Sequence, residues 1–298
     1  MRTPRVFALF AFALCHPLQA QVPGAVVSDP APDRANPASL QSFLLPSHGS
    51  NLNAFVYVAA GAGPHPAVVL LHGFPGNERN LDLAQTLRRA GYDVLYFDYR
   101  GSWGSPGAFS FSNAIEDTQA AVAYLRDTAN AKALRSDPGD ILLIGHSMGG
   151  FLARIVGGRD PGIRAVATIS AADMVGATAS LPAGAASAAV PRIAAGLAAQ
   201  GMAPFAGCTP ESLAKEVFAN RAAWSPVASA PGLVSRPLLV VTSDDGFAAS
   251  NDAVTGAIRK AGGTQVMTLH LATDHFYSDH RLALQAAVLN FLAALQPK

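Results

Sequence analysis

Cysteine is almost absent. Cys15 and Cys208 are the two in 298 residues, too few for a disulfide framework or a thiolate metal cluster. Charge is scarce as well: acids and bases together make up 14% of the chain and balance to +1. That excludes the basic face a nucleic-acid binder needs, and no patch suited to anionic lipid is visible. No apolar run reaches the roughly 20 residues a membrane-crossing helix requires, so the mature chain is expected to have no span. Asp274, His275, Asp279 and His280 are close in sequence, but their loop-then-helix setting lacks tetrahedral ligand spacing, and neither a metal nor a cofactor is expected. Internal repeats are missing too. What is present is apolar: half the residues are hydrophobic, enough to bury a large core and to exclude disorder.

The first 20 residues differ from the rest. Arg2 and Arg5 precede the apolar run Val6 to Cys15, and Leu18-Gln19-Ala20 ends on a small residue. This is the pattern of a secretory signal peptide, and the mature protein is expected to be periplasmic or secreted. Leu14 before Cys15 makes a poor lipoprotein site. With the peptide removed, Cys208 stands alone and no intramolecular disulfide can form. Residues 21–38 carry Pro23, Pro30, Pro32 and Pro37 and read as a flexible linker.

From residue 39 the pattern becomes regular. Leu40 to Leu45 and Leu52 to Ala59 alternate around Pro46-Ser47-His48-Gly49-Ser50, which reads as a hairpin. Short all-apolar strands then alternate with amphipathic helices: strands at 67–71, 94–97, 141–144 and 163–169, helices at 81–90, 115–125 and after Ser147. The last of these helices is expected to stop at Gly157-Gly158. Such alternation implies an α/β fold whose mostly parallel sheet has helices on both faces. Between 171 and 236 the alternation breaks into Ala-rich helical segments, near 183–199 and 212–223, expected to form a small helical cap over the strands' carboxyl ends. Strands at 237–241 and 265–271 and helices at 251–261 and 282–295 restore the pattern. The core thus divides into residues 39–170 and 237–298.

The chemistry is concentrated in Gly145-His146-Ser147-Met148-Gly149, which fits G-x-S-x-G between an apolar strand and a helix. A Cβ at Gly145 or Gly149 would collide with neighbouring chain in so tight a turn. Serine is inert at neutral pH unless a base removes its proton, and that base is normally a histidine oriented by a carboxylate. Of the eight histidines, His275 follows the last strand where the carboxyl ends converge; His280 is the runner-up, His270 falls within a strand, and His146 neighbours the serine but is expected to point elsewhere on the elbow. Asp244 and Asp245 both follow the strand that restarts at Pro237. Neighbours at a strand end point in opposite directions, so only one can face His275; Asp245 is favoured because Gly246 gives room for a sharp turn, with Asp244 the alternative. Met148, just after the serine, and Phe74, in His72-Gly73-Phe74-Pro75-Gly76, are the backbone donors expected for an oxyanion hole. Phe205 and Trp224 are candidates to roof the acyl site, and Asp98-Tyr99-Arg100-Gly101 reads as a loop tying a strand end to a helix through Arg100.

Taken together, His72-Gly73-Phe74-Pro75-Gly76, the Asp98 to Ser105 loop, Gly145-His146-Ser147-Met148-Gly149-Gly150, Asp244-Asp245 and Asp274-His275 resemble the α/β-hydrolase superfamily, in its esterase and serine-peptidase-like branch with a helical cap. The resemblance covers nearly all of the chain after Leu40. It implies a Ser147–Asp245–His275 triad, with Phe74 and Met148 amides as the hole, that cleaves a small ester or acyl substrate through an acyl-enzyme. A peptidase or amidase on the same triad, and a non-catalytic binder on the same fold, are the alternatives. Relatives usually carry a glycine two or three residues before the acid; Ser243 stands near that place here, which keeps Asp244 and Asp245 both open.

Overall fold

The computed structural model describes residues 22–295. The expected signal peptide, residues 1–20, lies outside the described residues. Helix α1 (Gly24–Val27) is followed by the hairpin β1 (Ser39–Ser47) and β2 (Ser50–Val58), then by β3 (His65–Leu71), α2 (Leu81–Arg89) and β4 (Asp93–Phe97). Next come α3 (Phe111–Arg126), α4 (Thr128–Leu134), β5 (Ser136–His146), α5 (Met148–Arg159) and β6 (Ile163–Ile169). Helices α6 (Ala186–Gln200), α7 (Pro210–Ala219) and α8 (Ala230–Leu233) precede β7 (Leu238–Thr242), α9 (Ala248–Lys260), β8 (Val266–His270) and α10 (Arg281–Ala293).

The strands form one sheet of eight in the order β1-β2-β4-β3-β5-β6-β7-β8. β1 and β2 are antiparallel, as are β2 and β4, and all remaining pairs are parallel. The two-residue hairpin loop holds His48 and Gly49 at φ 45° and 81°, the positive pair that matches the right-handed twist of the strands.

The unbroken apolar strands are explained by burial on both faces. Val69, Leu71, Leu143, Val166 and Val240 join the core under α3, α5 and α9. Their neighbours Val68, Leu70, Leu142, Ile144, Ala167 and Val241 join the opposite core under α2 and α10. Alternate residues thus serve alternate layers, each large side chain contributing about 1.5–3 kcal/mol by leaving water.

Three sequence expectations are corrected. The arm at 22–38 is anchored rather than a free linker: Val26 is buried in the core shared with α2 and α10, and Arg89 donates from Nε to the Ala25 carbonyl at 2.7 Å. The apolar Ala25-Val26-Val27 turn covers surface that the prolines around it obscured.

Helix α5 also runs through Gly157-Gly158 to Arg159. The glycines are there for close approach. A Cβ on Gly157 would come within 2.5 Å of Val166 Cγ2 on β6, and one on Gly232 of α8 would strike the Gly158 carbonyl. That second contact makes the third correction. Residues 226–233 of the expected cap pack on α5 and α9 as part of the ordinary helix layer, so the roof itself is the chain up to α7.

These contacts set a stability contrast. Gly232→Ala has no room and is expected to destabilise by about 2 kcal/mol through overpacking. Gly256→Ala, on α9 with open space around it, should be neutral or gain about 0.5–1 kcal/mol. Urea unfolding of the two variants beside wild type checks the sign of each.

Candidate active site

Ser147 stands between β5 and α5 with φ 57° and ψ −120°, a conformation a side chain rarely adopts, costing on the order of 1–3 kcal/mol. The elbow is over-determined. Ser147 donates its N–H to the Ile169 carbonyl at 2.9 Å, and its own carbonyl accepts from Gly150 and Ala172, both at 2.9 Å. The expected glycine roles are met. A Cβ on Gly145 would run into the Gly149 backbone, and one on Gly149 into the Leu71 carbonyl. Gly73 belongs to the same crowd, since its Cβ would lie 2.9 Å from Ser147 Cβ. The loop carrying Phe74 therefore lies directly against the serine. Met148 opens α5, where the helix supplies no partner for its amide.

The histidine and the acid meet across two loops. His275 donates from Nδ1 to Asp245 Oδ2 at 2.7 Å. Burial pushes the Asp245 carboxyl up, but hydrogen bonds from His275, the Phe247 amide and Ser170 outweigh it and hold it at about 2. Ser170 is fixed in turn by Tyr277 Oη at 2.8 Å and Ser243 Oγ at 2.9 Å. The alternative acid is set aside. Asp244 is exposed and faces His270 Nε2 at 3.1 Å, on the outside of the edge strand, away from His275. His280 pairs with Asp279 at the surface.

Ser147 and His275 line two adjoining cavities. One, of about 300 Å³, is bounded by Gly73, Asn77, Glu78, His146 and Phe276. The other, of about 310 Å³, is more apolar, with Met148, Met174, Ile193, Leu197 and Phe247. Phe74 and Gln200 border both. Helix α6 is thus the roof. Phe205 stacks on Phe74, centroids 4.6 Å apart, and so packs against a residue that borders both cavities without lining either itself. Trp224 does not reach them: it is buried against Phe111 and Phe151, and its expected place over the acyl site is corrected to the core. Arg100 ties its loop to α3 as expected, from Nε to Asp117 Oδ1 at 2.6 Å.

One participant was missed. His146, expected to point elsewhere, donates from Nε2 to the His275 carbonyl at 2.8 Å, and the two rings lie 4.7 Å apart. Its position in the motif gave no indication of this distant partner. His72 is buried without exposure; its Nδ1 donates to the Gly73 carbonyl at 2.8 Å, and Tyr99 Oη donates to its own carbonyl at 3.0 Å. The loop beside the serine is braced by these bonds. Burial lowers the His72 imidazole to about 4. Among the described residues no group of histidine, cysteine and acid side chains could hold a metal ion.

A serine on a strained elbow, with an acid–histidine pair at the carboxyl ends of a doubly covered parallel sheet, defines the α/β-hydrolase class. The chain belongs to the alpha/beta hydrolase family, whose model matches residues 68–290. It is similar to an uncharacterised protein of Mycobacterium tuberculosis, 30% identical over 125 residues that span 42% of this chain and 43% of that one. It is also similar to the uncharacterised protein YfhR of Escherichia coli O157:H7, 29% identical over 180 residues, 55% of this chain and 60% of the relative. These matches cover less than two thirds of either relative. Among solved structures, EstE1, a thermophilic carboxylesterase cloned from a metagenomic library, shares the fold with a TM-score of 0.64 at 23% identity, over 94% of this chain and 95% of that one.

The Asp245 carboxylate makes a pH prediction. Its pKa falls from 3.8 to about 2 on folding, so its stabilising contribution, roughly 2 kcal/mol, is present above about pH 4 and lost as pH falls through about 2. The difference in thermal midpoint between wild type and Asp245→Asn should therefore be largest near neutrality and shrink toward pH 2; a constant difference would contradict this.

Proposed function

We propose that the protein is a serine hydrolase that cleaves carboxylic esters through an acyl-enzyme. The observation that carries this is the 2.7 Å bond from His275 to Asp245, made on loops that border the same cavities as Ser147. With Nδ1–H committed to the carboxylate, Nε2 of neutral His275 keeps its lone pair and can act as base toward Ser147. Ser147 Oγ attacks the ester carbonyl as His275 takes its proton. The oxyanion develops against the Phe74 and Met148 amides, at the N-terminus of α5, where the helix dipole favours negative charge. His275 then gives the proton to the leaving alcohol. Water, deprotonated by the same imidazole, releases the acid and restores the serine. Asp245 stays ionised throughout and stabilises the imidazolium.

Two cavities of about 300 and 310 Å³ meeting at the serine suit an ester with a group on either side of the carbonyl. The fold shared with a carboxylesterase points the same way. The charged-then-apolar start of the sequence supports action outside the cytoplasm.

Turnover of p-nitrophenyl butyrate should fall on the order of 10⁴-fold or more in Ser147→Ala. A fluorophosphonate should add to Ser147 of wild type, read by mass spectrometry of the peptide. Equal turnover in both proteins removes Ser147 from the reaction; no adduct on folded wild type, with no turnover, leaves a binding protein on a hydrolase fold.

A further inference from the structure

We propose that His146 is a positioning residue: its Nε2–H bond to the His275 carbonyl locks the loop bearing the base to the elbow bearing the nucleophile. This rests on the reading of Ser147 and His275 as the reacting pair. The two lie 128 residues apart in sequence, on loops after β5 and β8, which are not adjacent in the sheet. Something must fix their separation. Asp245 holds the ring of His275, Asp274 caps the loop by accepting from the Phe276 and Ser278 amides, and Tyr277 is pinned by Ser170. His146 alone among these groups is covalently next to Ser147, and it holds the backbone of His275 itself.

The tautomer follows from the geometry. A carbonyl only accepts, so Nε2 carries the proton. Nδ1 is buried with no hydrogen-bond partner, which suits a bare lone pair in an apolar setting better than an N–H. His146 is 2% exposed, and burial, then the neighbouring His275, lowers its pKa to about 3. The charged or titratable groups that face it are His275, Arg281 and Asp245. A neutral ring at this place can hold the loop without repelling the imidazolium that forms on His275. A cation there could not.

Histidine ¹⁵N NMR of the full wild-type chain reads the bond without reference to activity. The signal lost in His146→Phe should show the neutral Nε2–H form from pH 5 to 8. An Nδ1–H tautomer, or titration within that range, overturns the proposal. In kinetics, the folded His146→Phe variant, which keeps ring volume and loses the donor, should lower kcat for p-nitrophenyl butyrate on the order of 10- to 100-fold, with KM changed by less than about twofold. Fluorophosphonate labelling of Ser147 should slow in parallel. His146→Gln, which can offer a side-chain N–H, should recover part of kcat. Wild-type kcat in His146→Phe, or a Gln variant no better than Phe, overturns the proposal. Should His146→Phe not fold, the tautomer is assigned by His146→Gln and the wild-type spectrum decides. Undiminished turnover in Ser147→Ala would instead sink the function reading, and is a separate result.

Discussion

The close passage of three backbones around Ser147 is the constraint on which the rest depends. Gly145, Gly149 and Gly73 let the end of β5, the start of α5 and the loop after β3 come closer than any side chain would permit. That crowding holds the serine at positive φ, and the bonds to Ile169, Gly150 and Ala172 make the conformation persist. Three or four hydrogen bonds at about 0.5–1.5 kcal/mol each are enough to offset strain of 1–3 kcal/mol. The elbow is stable because the sheet, the helix and the β6 loop all require it.

The acid and histidine loops are built on a different principle. They are joined by polar side chains: Asp245, Ser170, Ser243 and Tyr277 form one buried network behind His275. Such a network is unforgiving, because each member left unpaired would cost about 1–3 kcal/mol. It keeps the carboxylate ionised against burial, which by itself would raise its pKa. The glycine crowding fixes where the hydroxyl stands; the network fixes which proton the imidazole presents.

Much of this was legible in the chain. Strand–elbow–helix order, the two-layer burial and the order serine, acid, histidine are all written in local patterns of apolar residues and glycine. Failures came where the decisive contact was distant in sequence. Gly246 favours Asp245 over Asp244, as found, but does not decide it; that depends on His270 capturing one at the edge strand and Ser170 and Phe247 receiving the other. Gly157-Gly158 looked like a helix stop because its partner surfaces, Val166 and Gly232, lie elsewhere in the chain. Helix α4 went unread although Asp127 caps it by accepting from the Ala129 and Asn130 amides, both at 3.0 Å; that signal was available. The partner of the His146 side chain was not, since the last position of a strand, in step with Leu142 and Ile144, gives a face but not the distant group it meets.

The roof over the serine is fastened unequally. Ser102 and Phe205 form a β-bridge, Trp103 donates its amide to the Pro204 carbonyl, Ala206 donates to Gly101, and Phe109 donates to Ala206. Glu216 of α7 accepts the first amides of α3, from Phe111 and Ser112. One margin of the roof is therefore sewn to the body by main-chain seams. Helix α6, on the other side of residues 201–209, meets the cavity beside Ser147 with Ile193, Leu197 and Gln200. Any lifting of the roof would therefore have to start at α6, with the stitched margin as its fixed side.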